Sequence, residues 1–272
     1  MRLEICHTTE YRYSEDAWDS HNEVNLYPTA NERQHVRGFH LDVQPHATIT
    51  THPDYFGSLV HHVHVHERHR HLLIQAQSMV DTFPIVPPPP TPFEALDELR
   101  QDVIEFLVPS PRVPHGLWPT LFGVTPPEAN TDLAAFLKEL TAKLNQEFTY
   151  KPGATNVRTT LEQFAQSRAG VCQDFTHAML GICRVVGIPA RYVSGYLYSG
   201  GEMLGADATH AWLEALIPGQ GWVGYDPTNN CLAGEKHVKI GHGRDYGDVS
   251  PVRGTFYGGG RQALEVSVHV YN

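Results

Sequence analysis

Three residue types suited to acyl chemistry sit at separated points of this chain: Cys172 in "GVCQDF", His210 in "DATHAW" and Asp226 in "GYDPT". A thiol becomes a useful nucleophile when a base takes its proton and a third group fixes that base. The run that follows Cys172, "QDFTHAMLGICRVV", has the apolar content of a helix ended by "GIP". A helix beginning at or just before Cys172 would aim its free N–H groups and positive dipole end at the sulfur, favouring thiolate over thiol. The same N–H groups could receive the oxyanion of a tetrahedral intermediate. Cys183 lies about three turns, or roughly 16 Å, further along such a helix, too far for a disulfide with Cys172. It reads as a small core residue, as do Cys6 and Cys231.

His210 and Asp226 flank "EALIPGQGWVG", two apolar runs about a Pro-Gly-Gln-Gly turn, which predicts a β-hairpin. Side chains of paired strands share a face only when the sum of their numbers has the right parity. The carboxylate and imidazole therefore meet only if the loop has an odd number of residues or a bulge intervenes. A loop spanning Leu216 to Gln220 would set them directly opposite; a two- or four-residue loop would part them. An odd loop or a bulge is expected, with Asp226 fixing the tautomer of His210 and the other ring nitrogen facing Cys172.

The elements that must position these groups occupy a chain of 272 residues, 41% hydrophobic, enough for one large or two small cores. A formal charge of −10 without basic clusters argues against a nucleic-acid partner. No apolar run is long enough for a signal peptide or a membrane span, and the four scattered cysteines match neither a disulfide scaffold nor a zinc site. A cytoplasmic setting is expected. Residues 1–85 read as strands, rich in Val, Ile, Thr and aromatics and punctuated by turns. The prolines of "IVPPPPTPF" cannot lie inside a helix or central strand, so residues 86–92 are expected to link a β-rich domain (1–85) to a second domain (93–272).

In that second domain helical period appears in "PFEALDELRQDVIEFLVPS", in "TDLAAFLKELTAKLNQEF" and, more briefly, in "TTLEQFAQSRAG". The middle one has apolar positions at 133, 136, 137, 140 and 144, and Asn130, Thr131 or Asp132 could cap it. Strand-like runs follow Val186. In "LVHHVHVHER" valines alternate with His62, His64 and His66, and the histidine-rich stretch 61–71 raises the question of a metal. Neighbouring same-face residues stand about 6–7 Å apart on a strand and converge poorly on one ion. No carboxylate with diagnostic spacing accompanies them, so a solvent-facing strand is the expectation. Asp245 and Asp248 in "GRDYGDVS" are read as a hydrogen-bonded loop rather than a cation site.

The three motifs, in their order and local context, resemble those of transglutaminase-like domains of papain-type architecture. "GIPARYVSGYL" and "GRDYGDVSPVRG" resemble segments of bacterial members, and the first 85 or so residues resemble the β-rich region that precedes this domain there. The resemblance implies an α+β fold: an N-terminal antiparallel sandwich-like domain, then helices packed on an antiparallel sheet. It implies Cys172 as nucleophile, His210 as general acid/base and Asp226 as orienter. It also suggests Tyr150 as an aromatic helper at the oxyanion, and Asp174 and Asp207 as neighbours of the motifs. Trp212 and Trp222 are equally read as packing, His177 as structural and Arg191 as a partner for a carboxylate. No loop resembles the calcium sites of animal transglutaminases, so neither metal nor cofactor is expected. The expected substrate is a peptide or protein, cleaved by water; transfer to an amine is the runner-up, and a non-catalytic binding module the rival of another class.

Overall fold

The structure is a computed structural model and describes residues 1–201 and 203–272. The chain opens with β1 (Arg2–Val24), β2 (Gln34–Gln44), β3 (Thr48–Pro53), β4 (Leu59–Val65) and β5 (His69–Thr82). A central stretch holds α1 (Trp118–Leu121), α2 (Leu133–Glu147), β6 (Thr149–Tyr150), α3 (Leu161–Ser167), β7 (Ala169–Gly170) and α4 (Cys172–Val186). Then come β8 (Ala190–Leu197), β9 (His210–Ile217), β10 (Gly221–Asp226), β11 (Cys231–Leu232), β12 (His237–Gly243), β13 (Val252–Gly258) and β14 (Gln262–Tyr271).

β1 organises the first sheet. Its alternate residues Leu3, Ile5, His7, Thr9, Tyr11 and Tyr13 are buried, the period of a strand with one face on a core. Its pairing register shifts between Arg12 and Ala17, and Asp19 takes a left-handed φ of 50°. The first half pairs with β5 and β14, and the second with β4 and β13. Side chains from both halves meet in one cluster that includes Tyr11, Tyr13, Val24, Val63, Val65, Leu72 and Ile74. The bend thus turns one sheet into the two leaves of a sandwich.

β13 and β14, within residues 252–271, return to pair with β1 and complete its edges. An unpaired edge along so long a strand would leave a row of backbone groups unsatisfied.

The second sheet runs in the order β11-β10-β9-β8-β12, antiparallel throughout. Ala211, Leu213, Ala215 and Ile217 of β9 pack with Phe175, Ala178, Met179 and Ile182 of α4 in the main core. α2 buries Leu133, Phe136, Leu137, Leu140 and Leu144, the positions its period marked, and Asp132 caps it by accepting from Ala134 N at 3.1 Å. α3 starts on a capping box between Thr160 and Gln163. The helix expected over residues 92–110 is instead two short 3₁₀ turns, Phe93–Leu96 and Ile104–Phe106. Only Leu96 and Phe106 of those turns are buried, so no continuous apolar stripe exists to hold a helix there.

The two sheets are joined by a cluster of Leu3, Ile5, Val80, Tyr196, Val238, Ile240 and Val268. Gln34 adds a backbone-like clasp: its amide donates to Lys239 O at 2.7 Å and accepts from Lys239 N at 2.8 Å. The edge strand β12 is thereby anchored on the N-terminal region.

Candidate active site

Cys172 is the first residue of α4. Val171 before it is extended (φ −115°, ψ 176°), and Val171 O already accepts from the amides of Asp174 and Phe175. The amides of Cys172 and Gln173 are the ones that helix geometry leaves for an incoming oxyanion. Asp174 does not reach for the other motifs. Its Oδ2 accepts from Val171 N at 2.8 Å and from Thr155 Oγ1 at 2.6 Å, which locks the turn that presents the sulfur. Burial raises the Asp174 carboxyl above its usual range. Gly170 is required for this close approach, since a Cβ there would stand 2.6 Å from Asp174 Oδ2 and 2.9 Å from the Phe164 ring. Cys172 is buried, with 8% of the residue exposed.

The short parallel pair β6–β7 sets Tyr150 opposite Gly170 and so beside Cys172. Burial, helped by the neighbouring Cys172 and Asp207, pushes the Tyr150 phenol up to about 12, so it stands as a hydroxyl donor at neutral pH. Asp207 itself is exposed, and its backbone carbonyl accepts from Val268 N at 3.2 Å. It contributes to the field at Tyr150 and does not bond to His210.

His210 opens β9 and Asp226 closes β10. The hairpin pairs Ile217 with Gly221 and leaves Pro218, Gly219 and Gln220 as a three-residue loop. The odd loop puts both side chains on one face, with Asp226 one diagonal step from His210 rather than directly opposite. His210 Nε2 donates to Asp226 Oδ2 at 2.8 Å, both side chains being wholly buried. Nδ1 makes no hydrogen bond of full geometry, yet the Cys172 thiol lies close enough to affect the imidazole. Burial alone would lower the His210 pKa. The charge and hydrogen bond of Asp226 override it, with the thiol adding, and raise it to about 10. Asp226, although buried, is held well below the usual carboxylate range by His210 and His237.

Several partners converge on Asp226 that the sequence did not flag. Thr228 N and Asn229 N donate to Oδ1 at 2.9 and 3.2 Å, and Asn229 Nδ2 donates to Oδ2 at 2.8 Å. His237, at the start of β12, donates Nε2–H to the same Oδ2 at 3.1 Å, and its Nδ1 accepts from Gly234 N at 3.3 Å. That second bond fixes its tautomer, and burial lowers its pKa, so it is a neutral donor. Donor atoms of His210, Asp226 and His237 lie within 4.8 Å of one another, a spacing an ion could use, but the two N–H···O bonds account for it.

Gly205 is a further residue missed by motif reading. Its φ is +86°, and a Cβ there would stand 2.7 Å from His210 Nδ1 and 3.4 Å from the Tyr150 hydroxyl. The backbone at this glycine therefore lies against the ring nitrogen of His210 that Asp226 leaves free. Only a residue without a side chain allows that.

The other flagged residues have structural partners. His177 Nε2 accepts from Tyr246 N at 3.2 Å. Arg191 bonds Glu214 at 2.6 Å and lies over the Trp222 ring, while Trp212 stacks on His210. Asp245 accepts from Arg112 N and Gly247 N, and Asp248 is paired with Arg244. Behind His237 opens a cavity of about 510 Å³ bordered by Trp212, Glu214 and Lys239; Cys172 does not line it.

Residues 125–227 match the Transglutaminase-like superfamily, and residues 3–81 match the Bacterial transglutaminase-like N-terminal region. An uncharacterized protein of Mycobacterium tuberculosis is 34% identical over 297 residues, covering 99% of this chain and 92% of its own length. A protein-glutamine gamma-glutamyltransferase of Pseudomonas aeruginosa is 36% identical over 113 residues, 37% of this chain and 16% of that protein. A solved structure from Cytophaga hutchinsonii, provisionally described as a cysteine protease, superposes with a TM-score of 0.78 at 24% identity. It covers 100% of this chain and 90% of the other, so the two share the whole fold.

Proposed function

As a member of the transglutaminase-like superfamily, with the bacterial transglutaminase-like N-terminal region ahead of its core, this chain falls in the papain-like thiol enzyme class, and we propose that it hydrolyses peptide or isopeptide bonds through Cys172. The observation that carries the reading is the buried Asp226–His210 pair, whose second imidazole nitrogen is left without an ordinary partner beside a sulfur at a helix start.

The Cys172 thiolate attacks the amide carbonyl carbon, and the oxygen takes the negative charge within reach of the Cys172 and Gln173 amides. The imidazolium of His210 then gives its Nδ1 proton to the departing nitrogen as the C–N bond breaks, leaving a thioester. A water molecule, deprotonated by Nδ1, attacks the thioester and expels the thiolate, which regenerates the starting pair. Asp226 holds the ring in the Nε2–H tautomer and offsets the imidazolium charge throughout. No metal or cofactor enters these steps.

The same thioester could pass to a primary amine instead, and the stretch shared with the Pseudomonas transferase favours that second reading. Incubation with a peptide library, with and without a labelled amine, separates the two. Cleaved peptides with unlabelled acyl ends support hydrolysis; amine label incorporated into side-chain carboxamides of uncleaved peptides overturns it. Inertness of the wild-type thiol towards every acyl donor would favour the binding module. The partners on this reading are peptides or proteins and not nucleic acids.

Among the described residues no helix is long and apolar enough to cross a membrane, and the cysteines are unpaired. We place the protein in the cytoplasm, where unpaired thiols persist. Fractionation that recovered it only outside the cytoplasm would end that placement.

A further inference from the structure

A second constellation lies on the N-terminal sheet, away from the thiol. At the bend of β1 the carboxylate of Asp19 reaches across to β4. Its Oδ1 lies 2.6 Å from His64 Nε2 and 3.4 Å from His21 Nε2. His21 is the direct cross-strand partner of His64, their rings stacked at 3.8 Å. His66, just past the end of β4, brings its ring to 3.7 Å from that of His64. One ligand atom from each of Asp19, His64 and His66 lies within 4.8 Å of the others.

Both objections raised by the sequence pattern fail here. Same-face histidines on a strand were expected to diverge, yet these two rings are in contact. The missing carboxylate is supplied by the bulged strand alongside, from a position no linear spacing could reveal. The Asp19–His64 hydrogen bond explains two of the groups. It leaves unexplained why the exposed ring of His66, which has no hydrogen-bond partner among the described residues, lies against that of His64.

We propose that Asp19, His64 and His66 form a binding site for a divalent transition-metal ion of the zinc, nickel and copper class, with His21 holding the carboxylate. Two imidazoles and one carboxylate are the donors this class prefers, and a calcium or magnesium site would need more oxygens. A tetrahedral ion with bonds near 2.0–2.2 Å would part the Asp19–His64 contact slightly and replace its proton. Asp19 is 43% exposed and the His64 side chain 19%, so an ion has a path in and water can fill the remaining position. Both strands of the bend contribute ligands, so the ion would brace β1 against β4. It would take no part in acyl transfer.

The test is Zn²⁺ titration of the full chain carrying Cys172→Ala, which removes the sulfur as a competing ligand, read by calorimetry and by imidazole resonances in NMR. The expected result is one equivalent bound, with the His64 and His66 resonances moving first. His66→Gln and Asp19→Asn, each added to that parent, should weaken binding at least tenfold. His21→Ala should weaken it about 10–100-fold, the usual effect of losing a group that orients a ligand. His66 is exposed and outside the strand, so His66→Gln keeps the fold and the comparison stays decisive. Zn²⁺ binding unchanged within twofold in His66→Gln, or His64 and His66 resonances unmoved at equimolar Zn²⁺, overturns the proposal.

Discussion

His237 and His210 donate to the same oxygen, Oδ2 of Asp226, at 3.1 and 2.8 Å. The two imidazoles serve different ends. His210 has a ring nitrogen left over beside the sulfur, whereas both nitrogens of His237 are used, one on Asp226 and one on Gly234. On the proposed mechanism His237 is a positioning residue: it holds the carboxylate that holds His210.

His237→Ala is therefore expected to lower kcat/KM about 10–100-fold, the equivalent of one buried hydrogen bond to a charged group at about 1.5–3 kcal/mol. Removing this donor should also shift the acidic limb of the pH–rate profile, because Asp226 is then less strongly held in its ionised form. A purely structural role would lower activity without moving that limb.

Asp226→Asn removes the charge that raises His210. The imidazole should fall from about 10 towards or below its ordinary value, as read by NMR titration of the His210 ring. Peptide hydrolysis should drop about 10²–10⁴-fold, the range for losing effective acid–base catalysis. An imidazole still titrating near 10 in this variant would show that Asp226 is not the cause.

The pair also sets a pH window for stability. His210 binds its proton more tightly folded than unfolded, so its contribution is full below about 6.5, wanes above that and is gone once pH passes about 10. Asp226 is shifted the other way, so its contribution is present above the ordinary carboxylate range and lost as pH falls. Urea unfolding should show wild type losing more stability than His210→Gln between pH 7 and about 10. Parallel loss in the two proteins would contradict the assignment.

Gly205→Ala places a Cβ 2.7 Å from the ring nitrogen of His210 and forces a side chain into a left-handed backbone, at about 1–2 kcal/mol. Activity should fall at least tenfold with a modest drop in melting temperature. Gly57→Ala, also at positive φ but in open space, should cost stability without affecting hydrolysis.

Thiol labelling should separate Cys172 from Cys183 and Cys231. Burial pushes the Cys183 and Cys231 thiols up to about 12, so neither supplies appreciable thiolate at neutral pH. Mass spectrometry after brief iodoacetamide treatment of the native protein should find Cys172 modified ahead of Cys183 and Cys231. Preferential labelling of Cys183 would mean that the α4 core opens.

Much of this site was legible because it depends on local rules. The helix at Cys172 follows from its apolar run and the Gly-Ile-Pro stop, and the shared face of His210 and Asp226 follows from parity once the loop is odd. What escaped notice depends on contacts distant in sequence. His237 sits in an ordinary strand start, and its bond to Asp226 depends on the tertiary order β10-β9-β8-β12, which no local pattern announces. Gly205 lies in a polar loop with nothing to mark it, since its importance is an approach of backbone to imidazole. The expected helix at 92–110 failed for the opposite reason: a helical period existed, but no surface was there to receive it.

The hairpin of β13 and β14 follows every element of the thiol site in the chain, yet it completes the outer edges of the strand with which the chain opens. A chain that folds as it is synthesised would therefore hold β1 with one side bare until the transglutaminase-like core has been made. Closure over such a distance is slow, and a bare edge is a template for the wrong neighbour. Overproduced chains are therefore expected to be lost to aggregates that grow from β1, at temperatures where the finished fold is intact.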